Sequence, residues 1–216
     1  MSQKGRTQIP IVCPGHTRPL AELQYLSIPS ESRTLLLSAC HDKMPMLRNG
    51  ETGDWIGTFQ GHKGAVWSCQ MDPSGNLAAT ASGDFSVQIW DGITGKSLKE
   101  LGHGHIVKSC DFSSDSKLLA TGGKEGLLRV FDLIKLLIDK DADQAKNPSI
   151  QIKQPSSISK VAWLSPSTTE ILVGCADGKV YLWNVETQTM THTFDTNQKA
   201  EIRDMEVMNV NGQLIL

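Results

Sequence analysis

Histidines, hydroxyl residues and carboxylates recur together in this sequence at similar spacing. A histidine that deprotonates a hydroxyl while a carboxylate orients its ring is the arrangement of hydrolytic triads, so a nucleophilic site is the first hypothesis. The repetition argues against it, because a hydrolase needs one such set and successive segments here each have one. We interpret the sets as a structural part of a repeated unit. They are His16, Ser38 and Asp42; His62, Thr80 and Asp84; and His103, Thr121 and Glu125.

Only the second unit adds a tryptophan at the end of its set. Buried, these residues can form a chain of hydrogen bonds in which each polar atom of the imidazole has a partner. The predicted structural tetrad is His62, Thr80, Asp84 and Trp90. The other units depart from it, with Arg48 in the first, Phe131 in the third, and Gln154 with Val173 in the fourth.

The cysteines do not indicate a metal site. Cys69 and Cys110 occupy one repeat position, and Cys40 and Cys175 occupy another. Equivalent positions in different units favour small core residues over convergent ligands, and there is no CxxC pair. We therefore predict no metal and no cofactor. Cys13 is the fifth cysteine, and reduced thiols are expected.

Catalytic motifs are also missing from the sequence. Gly95-Lys96-Ser97 is similar to the end of a phosphate loop, but Trp90 stands where that loop needs glycine. No metalloprotease, nucleophile-elbow or kinase signature occurs. We predict no catalytic residue, no enzymatic activity and no small-molecule substrate.

The repeat itself predicts the fold. Gly-His pairs begin units at Gly15, Gly61 and Gly102, and the second, third and fourth units place an aromatic residue six positions after a turn acid, as in Asp84 to Trp90. A period of about 40–45 residues with these marks is typical of the four-stranded blade of a WD propeller. We predict an all-β WD-repeat β-propeller that is incomplete, with about four and a half blades.

One domain is expected over residues 1–216, with repeats starting near 15, 61, 102, 153 and 197. Residues 133–149 read as an insertion on the rim, with a helical turn or two before a strand at Ile150–Lys153. A fifth unit is expected to begin near Ala200, with a first strand reaching Met208 and a second starting at Leu214.

Composition limits the partners. Net charge is -2 with a charged fraction of 20%, so bulk charge gives no attraction for nucleic acid, and RNA contact is expected only weakly or within a larger complex. The longest apolar run, Leu133 to Ile138, is too short to span a bilayer, so we predict no membrane insertion. The polar N-terminus is not a secretory signal. We expect the cytoplasm, with the nucleus as a second compartment.

Trp67 is the candidate for contact with a partner. It is expected on the innermost strand of its blade, near the upper mouth of the channel, with Lys108 and Arg203 at equivalent repeat positions. A tryptophan beside Lys and Arg is the composition of a protein-binding hot spot, although simple packing against the next blade remains an equal alternative. The predicted partner-binding top face comprises Trp67, Lys108, Lys124, Arg203 and His41, with Arg18 and Lys63 at lower weight.

Some segments are not general WD features. Pro45-Met46-Leu47-Arg48, Gly53-Asp54-Trp55-Ile56-Gly57-Thr58-Phe59 and His103-Gly104-His105-Ile106-Val107-Lys108 occur in this order. With them the sequence resembles the family of serine-threonine kinase receptor-associated proteins. The resemblance implies a seven-bladed propeller that acts as a scaffold in the survival-of-motor-neuron complex, which assembles spliceosomal small nuclear ribonucleoproteins for mRNA splicing. It also implies contact with transforming-growth-factor-beta receptors and inhibitory Smads.

Two alternatives remain open. One is subunit I of translation initiation factor three, a related WD propeller, and the other is a propeller that contacts RNA within a larger complex. The resemblance also implies that Gln8 to Cys13 forms the outer strand of a final blade. Because about two and a half blades of that ring have no counterpart here, we expect an open arc with apolar blade faces exposed at both ends.

Overall fold

The computed structural model describes residues 12–138, 148–164, 167–197 and 200–205, and the backbone of 208–210 and 213–215. Its main feature is a series of four antiparallel sheets, each with four strands. Blade 1 contains β1 (Leu20–Ile28), β2 (Arg33–Cys40), β3 (Met46–Asn49) and β4 (Trp55–Thr58). Blade 2 contains β5 (Val66–Met71), β6 (Leu77–Ser82), β7 (Ser86–Asp91) and β8 (Ser97–Gly102). Blade 3 contains β9 (Val107–Phe112), β10 (Leu118–Gly123), β11 (Leu127–Asp132) and β12 (Ile150–Lys153). Blade 4 contains β13 (Ile158–Trp163), β14 (Glu170–Cys175), β15 (Lys179–Asn184) and β16 (Thr189–Asp195).

Every blade is a meander in which each strand pairs with the next along the chain. The first strands β1, β5, β9 and β13 contact one another in this order, so the blades follow each other around a channel. The predicted all-β WD-repeat propeller, with incomplete blades, is confirmed. Since strands alternate in direction, the loop before a first strand and the loop joining second to third strands lie at one end, which we call the top face. The remaining loops form the bottom face.

Side chains on the first strands fix the blades in parallel register. Ser68 Oγ accepts a hydrogen bond from Cys110 N at 3.2 Å, and Ser109 Oγ accepts one from Val161 N at 3.1 Å. Glu22 Oε2 accepts from Cys69 N at 2.9 Å. The same hydrogen bond, from a backbone N–H to a side-chain oxygen at equivalent repeat positions, therefore joins three successive pairs of blades. It gives a partner to backbone N–H groups that have no neighbouring strand on the channel side.

Apolar side chains fill the space between neighbouring blades. Leu37, Trp90 and Val66 belong to the layer between blades 1 and 2. Ile89 and Leu119 belong to the layer between blades 2 and 3, and Ile158 to that between blades 3 and 4. Removal of this area from water is the main stabilising contribution to the arc. Cys40, Cys69, Cys110 and Cys175 are buried in the blades, whereas Cys13 is exposed.

The rim insertion begins with a short helix, α1 (Leu133–Ile138). Leu133 and Leu136 are buried and extend the layer between blades 2 and 3. Residues 139–147 of the predicted insertion lie outside the described residues. The predicted strand after the insertion, Ile150–Lys153, is present with those bounds as β12.

The predicted first strand of a fifth unit is wrong in position. Residues 200–205 form no strand, and β17 (Met208–Val210) pairs instead with β18 (Gln213–Ile215) as a two-stranded hairpin. In a blade the first strand pairs with the second strand. Among the described residues, the segment that pairs with Gln213–Ile215 begins at Met208. The predicted repeat start near 197 adjoins residues 198–199, which lie outside the described residues.

The first and last blades expose apolar side chains. Leu23 and Tyr25 of β1 are 55% and 61% exposed, and Met190 of β16 is 50% exposed. No other described blade covers these two faces. The predicted strand from Gln8 to Cys13 falls mostly outside the described residues, and Val12 and Cys13 form no strand. None of the described helices has the length and apolarity needed to cross a membrane.

Candidate functional site

The blade 2 tetrad forms a continuous chain of hydrogen bonds. Trp90 Nε1 donates to Thr80 Oγ1 at 2.8 Å, and Thr80 Oγ1 lies 2.7 Å from His62 Nε2. His62 Nδ1 lies 2.8 Å from Asp84 Oδ2. Because the Asp84 carboxylate can only accept, the imidazole donates through Nδ1, and the Thr80 hydroxyl, which accepts from Trp90, donates its proton to His62 Nε2. Thr80 is fully buried, so its hydroxyl is not presented to a substrate.

Asp84 also anchors the surrounding loops. Its carboxylate accepts from Lys63 N at 2.8 Å and from Ser86 N at 3.1 Å. Burial on its own raises the pKa of Asp84, but the hydrogen bonds from His62 and Ser86 outweigh burial and hold that pKa well below its usual value. The carboxylate is therefore ionised at neutral pH and joins the two top-face loops of its blade.

Blade 1 retains the histidine and the acid but replaces the tryptophan. His16 lies 2.8 Å from Asp42 and 2.7 Å from Ser38. Arg48, 4% exposed, donates to Gly53 O at 3.1 Å and to the carbonyl of Pro14. The guanidinium thus ties the segment before blade 1 to the turn between β3 and β4.

One group of potential metal ligands occurs among the described residues. One atom each of His16, Cys40 and Asp42 lies within 4.8 Å of the others. Both imidazole nitrogens of His16 already have partners, and burial raises the pKa of the Cys40 thiol. The hydrogen-bond set of blade 1 accounts for this cluster without an ion.

Blades 3 and 4 use other partners. His103 Nε2 lies 2.9 Å from Thr121 Oγ1, but Nδ1 faces Leu101 O at 3.1 Å, and Glu125 pairs with Arg129 at 2.8 Å. Burial and the nearby Arg129 charge lower the pKa of His103 to about 4, so its imidazole is neutral. In blade 4, Trp183 Nε1 donates directly to Gln154 Oε1 at 3.0 Å.

The structure brings together the residues predicted for a partner-binding top face. The His41 ring meets Trp67 edge-on with 4.5 Å between ring centroids, and Lys108 Nζ lies 3.0 Å from the centroid of the Trp67 ring. Burial, then the charge of Lys124, lowers the pKa of Lys108. Lys124 Nζ lies 3.3 Å from Glu201, and Arg203 borders the same cavity as Trp67. Trp67 is partly exposed and also contacts neighbouring blades, so both sequence interpretations describe part of its environment.

A cavity of about 850 Å³ lies between the first strands, below Trp67. Lys160 reaches across it to Glu22 and lies 3.0 Å from Asp204. Burial lowers the pKa of Lys160, but the charges of Glu22 and Asp204 outweigh it and raise that pKa above its usual value. In β9, outside the lining of this cavity, burial raises the pKa of Asp111 to about 7. The cavity is therefore polar and its central charges are paired.

Sequence reasoning missed Lys160 and Phe85. Lys160 occupies the repeat position of Glu22, Ser68 and Ser109, and opposite charges at this position in the first and fourth repeats were the available signal. Phe85 follows the turn acid where the third and fourth repeats have glycine. It packs against His105 on the top face, with 5.4 Å between ring centroids.

Comparison with known proteins agrees with this geometry. The family described as "WD domain, G-beta repeat" matches residues 53–91, 95–132 and 147–184. The chain is 40% identical to the serine-threonine kinase receptor-associated protein of Gallus gallus over 209 residues, which cover 97% of this chain and 56% of that protein. Identity to the Homo sapiens protein of the same name is 41% with the same coverage. Identity to subunit I of eukaryotic translation initiation factor 3 of Neurospora crassa is 32% over 79% of this chain and 49% of that protein.

These matches confirm the resemblance inferred from the sequence motifs. The chain spans about half the length of the curated relatives it matches, at 56% of the receptor-associated proteins. Three family matches coincide with parts of blades 1 to 4. On this basis the chain belongs to the WD-repeat family.

Proposed function

We propose that this chain acts as a non-catalytic protein-interaction scaffold whose top face contacts partner proteins. The observation that carries the proposal is the cluster of Trp67, His41 and Lys108. A tryptophan held by two neighbours and still partly exposed loses little conformational entropy when a partner covers it. Large aromatic side chains with adjacent cations dominate binding energy at many protein interfaces.

The cluster draws on three blades, which makes it sensitive to their relative position. Trp67 belongs to β5, His41 follows β2, and Lys108 belongs to β9. The Lys108 ammonium over the indole face is a cation–π contact, which is stronger when partly shielded from water. A partner that covers Trp67 therefore recognises the assembled arc and not a single loop.

The proposed partners are components of the survival-of-motor-neuron complex, in the assembly of spliceosomal small nuclear ribonucleoproteins. This assignment rests on the family resemblance and on identities of 40% and 41% to receptor-associated proteins. A second proposed role, in receptor kinase signalling, is supported by the name of those relatives. The proposed location is the cytoplasm, with the nucleus as a second compartment, and RNA is contacted indirectly or weakly.

An alternative function is that of the WD-repeat subunit I of translation initiation factor 3. It is supported by the 32% identity to the Neurospora crassa subunit. The lower identity and coverage make it the second choice.

Affinity purification of the full-length protein with identification of partners by mass spectrometry tests both assignments. We expect survival-of-motor-neuron components to co-purify, and a set dominated by initiation-factor subunits would instead support the alternative. Trp67→Ala should reduce recovery of the direct partner. Trp55→Ala is the matched control, since Trp55 is a 60% exposed tryptophan on the outer strand of blade 1, and equal losses for both variants would contradict a role for the top face.

A further inference from the structure

Phe85 has a backbone conformation that is unfavourable for a large side chain. Its φ is +69°, in the left-handed region, and the residues at the same repeat position are Lys43, Gly126 and Gly178, also with positive φ. Glycine occupies this region without strain, whereas an aromatic residue there is an outlier. Such strain persists where another requirement selects the side chain.

The requirement for an aromatic side chain at position 85 does not come from packing of the core. The Phe85 side chain is exposed at 45%, and its ring contact is with His105, which is itself exposed. The turn is held by other groups, since Asp84 binds Ser86 and Phe85 O accepts from His103 N at 2.8 Å. The aromatic ring could therefore be removed without loss of a structural hydrogen bond.

Cations flank this aromatic pair. Lys63 is exposed, and its N–H is bound to Asp84, the residue before Phe85. Lys124 is exposed, and its N–H donates at 2.9 Å to Ile106 O, next to His105. We call Phe85, His105, Lys63 and Lys124 the Phe85 site. Trp67 lies against the same turn, since its Nε1 is 3.5 Å from the position that a Cβ on Gly83 would occupy.

The charges of the two faces differ although the net charge is close to zero. The top-face turn acids are all engaged by hydrogen bonds close to their own turns. These acids are Asp42, Asp84, Glu125 and Asp177. Exposed cations on the top-face loops are Arg18, Lys43, Lys63 and Lys124. Acids on the described bottom-face loops include Glu31, Glu51, Asp54, Asp91, Asp115 and Glu186. The turn acids keep their charge but are partly buried, so the charges that a partner can contact directly on these loops are mainly the cations, which favours an acidic partner.

We propose that the Phe85 site binds an acidic segment of a partner protein that carries one large apolar side chain between carboxylates. The apolar side chain packs on Phe85 and His105, and carboxylates pair with Lys63 and Lys124. The pair of Lys124 with Glu201 is exposed and contributes little, so an incoming carboxylate can replace Glu201. This inference rests on the proposed scaffold function and adds the chemistry of the bound segment.

Fluorescence anisotropy with the full-length protein tests the Phe85 site. The probe is a short fluorescein-labelled peptide with a central Phe flanked by Asp and Glu, compared with one that has a central Ala and with an oligouridylate. Phe85→Asn removes the ring while tolerating positive φ, and Lys63→Glu reverses an exposed charge. Lys96→Glu is the matched control, on the exposed bottom-face turn of the same blade.

We expect the Phe peptide to bind more tightly than the Ala peptide, and Phe85→Asn to weaken its binding about tenfold. Lys63→Glu should weaken it similarly, while Lys96→Glu should leave it unchanged. Unchanged binding by Phe85→Asn, no binding of the Phe peptide, or tighter binding of oligouridylate at this site would each overturn the proposal. Purification without survival-of-motor-neuron components contradicts only the partner assignment above, so the two failures are distinguishable.

Discussion

Blades 2 and 3 have the same strand order and first strands of equal length, but their polar interiors differ. In blade 2, His62 links Thr80 to Asp84, and Trp90 completes the chain. In blade 3, Phe131 has no N–H to donate, His103 turns its Nδ1 to a backbone carbonyl, and Glu125 pairs with Arg129. The change from Trp90 to Phe131 is thus accompanied by a longer acid, by Arg129 on the adjacent strand, and by different partners for both the histidine and the acid.

The difference shows that the tetrad is not needed to form a blade. Both blades share an apolar layer that includes Ile89, Leu119 and Phe131, and this layer provides the burial that drives folding. The tetrad instead joins the two top-face loops of its blade through Asp84. We infer that loss of the acid matters more in blade 2, where it holds the histidine and two loop N–H groups, than in blade 3, where it holds Arg129 and the N–H of Gly104.

The largest expected effect comes from breaking this connection. Asp84→Ala should lower the free energy of unfolding of the full-length protein by about 2–3 kcal/mol, because His62 stays buried without its acceptor and two loop N–H groups lose theirs. Glu125→Ala should cost less, about 1 kcal/mol, because His103 does not use this acid as its acceptor and Arg129 still donates to Gly102 O. Urea denaturation measures both values. Hydrogen exchange should show faster exchange at Lys63 and Ser86 in the first variant, and equal losses in both variants would contradict the ranking.

The histidine of blade 3 gives a pH-dependent comparison. The pKa of His103 is about 4 in the folded state against an ordinary value of 6.5, so between these values the unfolded chain binds a proton that the folded chain does not. The contribution of His103 to stability is present above pH 6.5 and is lost as pH falls toward 4. Asp111, with a pKa of about 7, has the opposite effect, since protonation favours the folded state over the same range.

His103→Gln isolates the first contribution, and blade 4 already places Gln154 at this repeat position. The wild-type protein should lose up to about 2 kcal/mol more than His103→Gln between pH 7 and pH 4. Thermal denaturation across this range measures the difference, in which the Asp111 contribution cancels. Parallel pH curves for the two proteins would show that His103 titrates alike in the folded and unfolded states.

The sequence predicted the blades well because their signals are local and repeated. The predicted strand Ile150–Lys153 has the observed bounds, since alternation of apolar and polar residues identifies a strand without tertiary context. The first strand of the fifth unit was placed wrongly because strand pairing, and not the repeat alignment, decides its position. Lys160 and Phe85 were missed for a related reason. The roles of these side chains depend on contacts with other blades, which sequence spacing does not show.

The net charge and the distribution of charge give different indications of a partner. A net charge of -2 indicates little attraction for any charged partner, but it averages over two faces of different character. Topology separates them, because the top-face turn acids are charged but partly buried, whereas Lys63 and Lys124 are exposed. Net charge therefore excludes fewer partners than it first indicates, and the charges that are exposed on each face are the better guide to a partner.

The smallest expected effect concerns the residue that follows the turn acid, which differs between blades 2 and 3. Blade 3 has Gly126 at φ +68°, and blade 2 has Phe85 at φ +69°. Phe85→Asn should leave the free energy of unfolding unchanged or raise it by up to about 1 kcal/mol, because asparagine is less strained in this region. Gly126→Ala is the counterpart, and it should be destabilising because a Cβ there would lie 2.8 Å from Ser156 O. Urea denaturation of both variants makes the comparison. A marked loss of stability in Phe85→Asn would show that the aromatic ring is retained for folding, and the case for the Phe85 site as a binding surface would lose its support from strain.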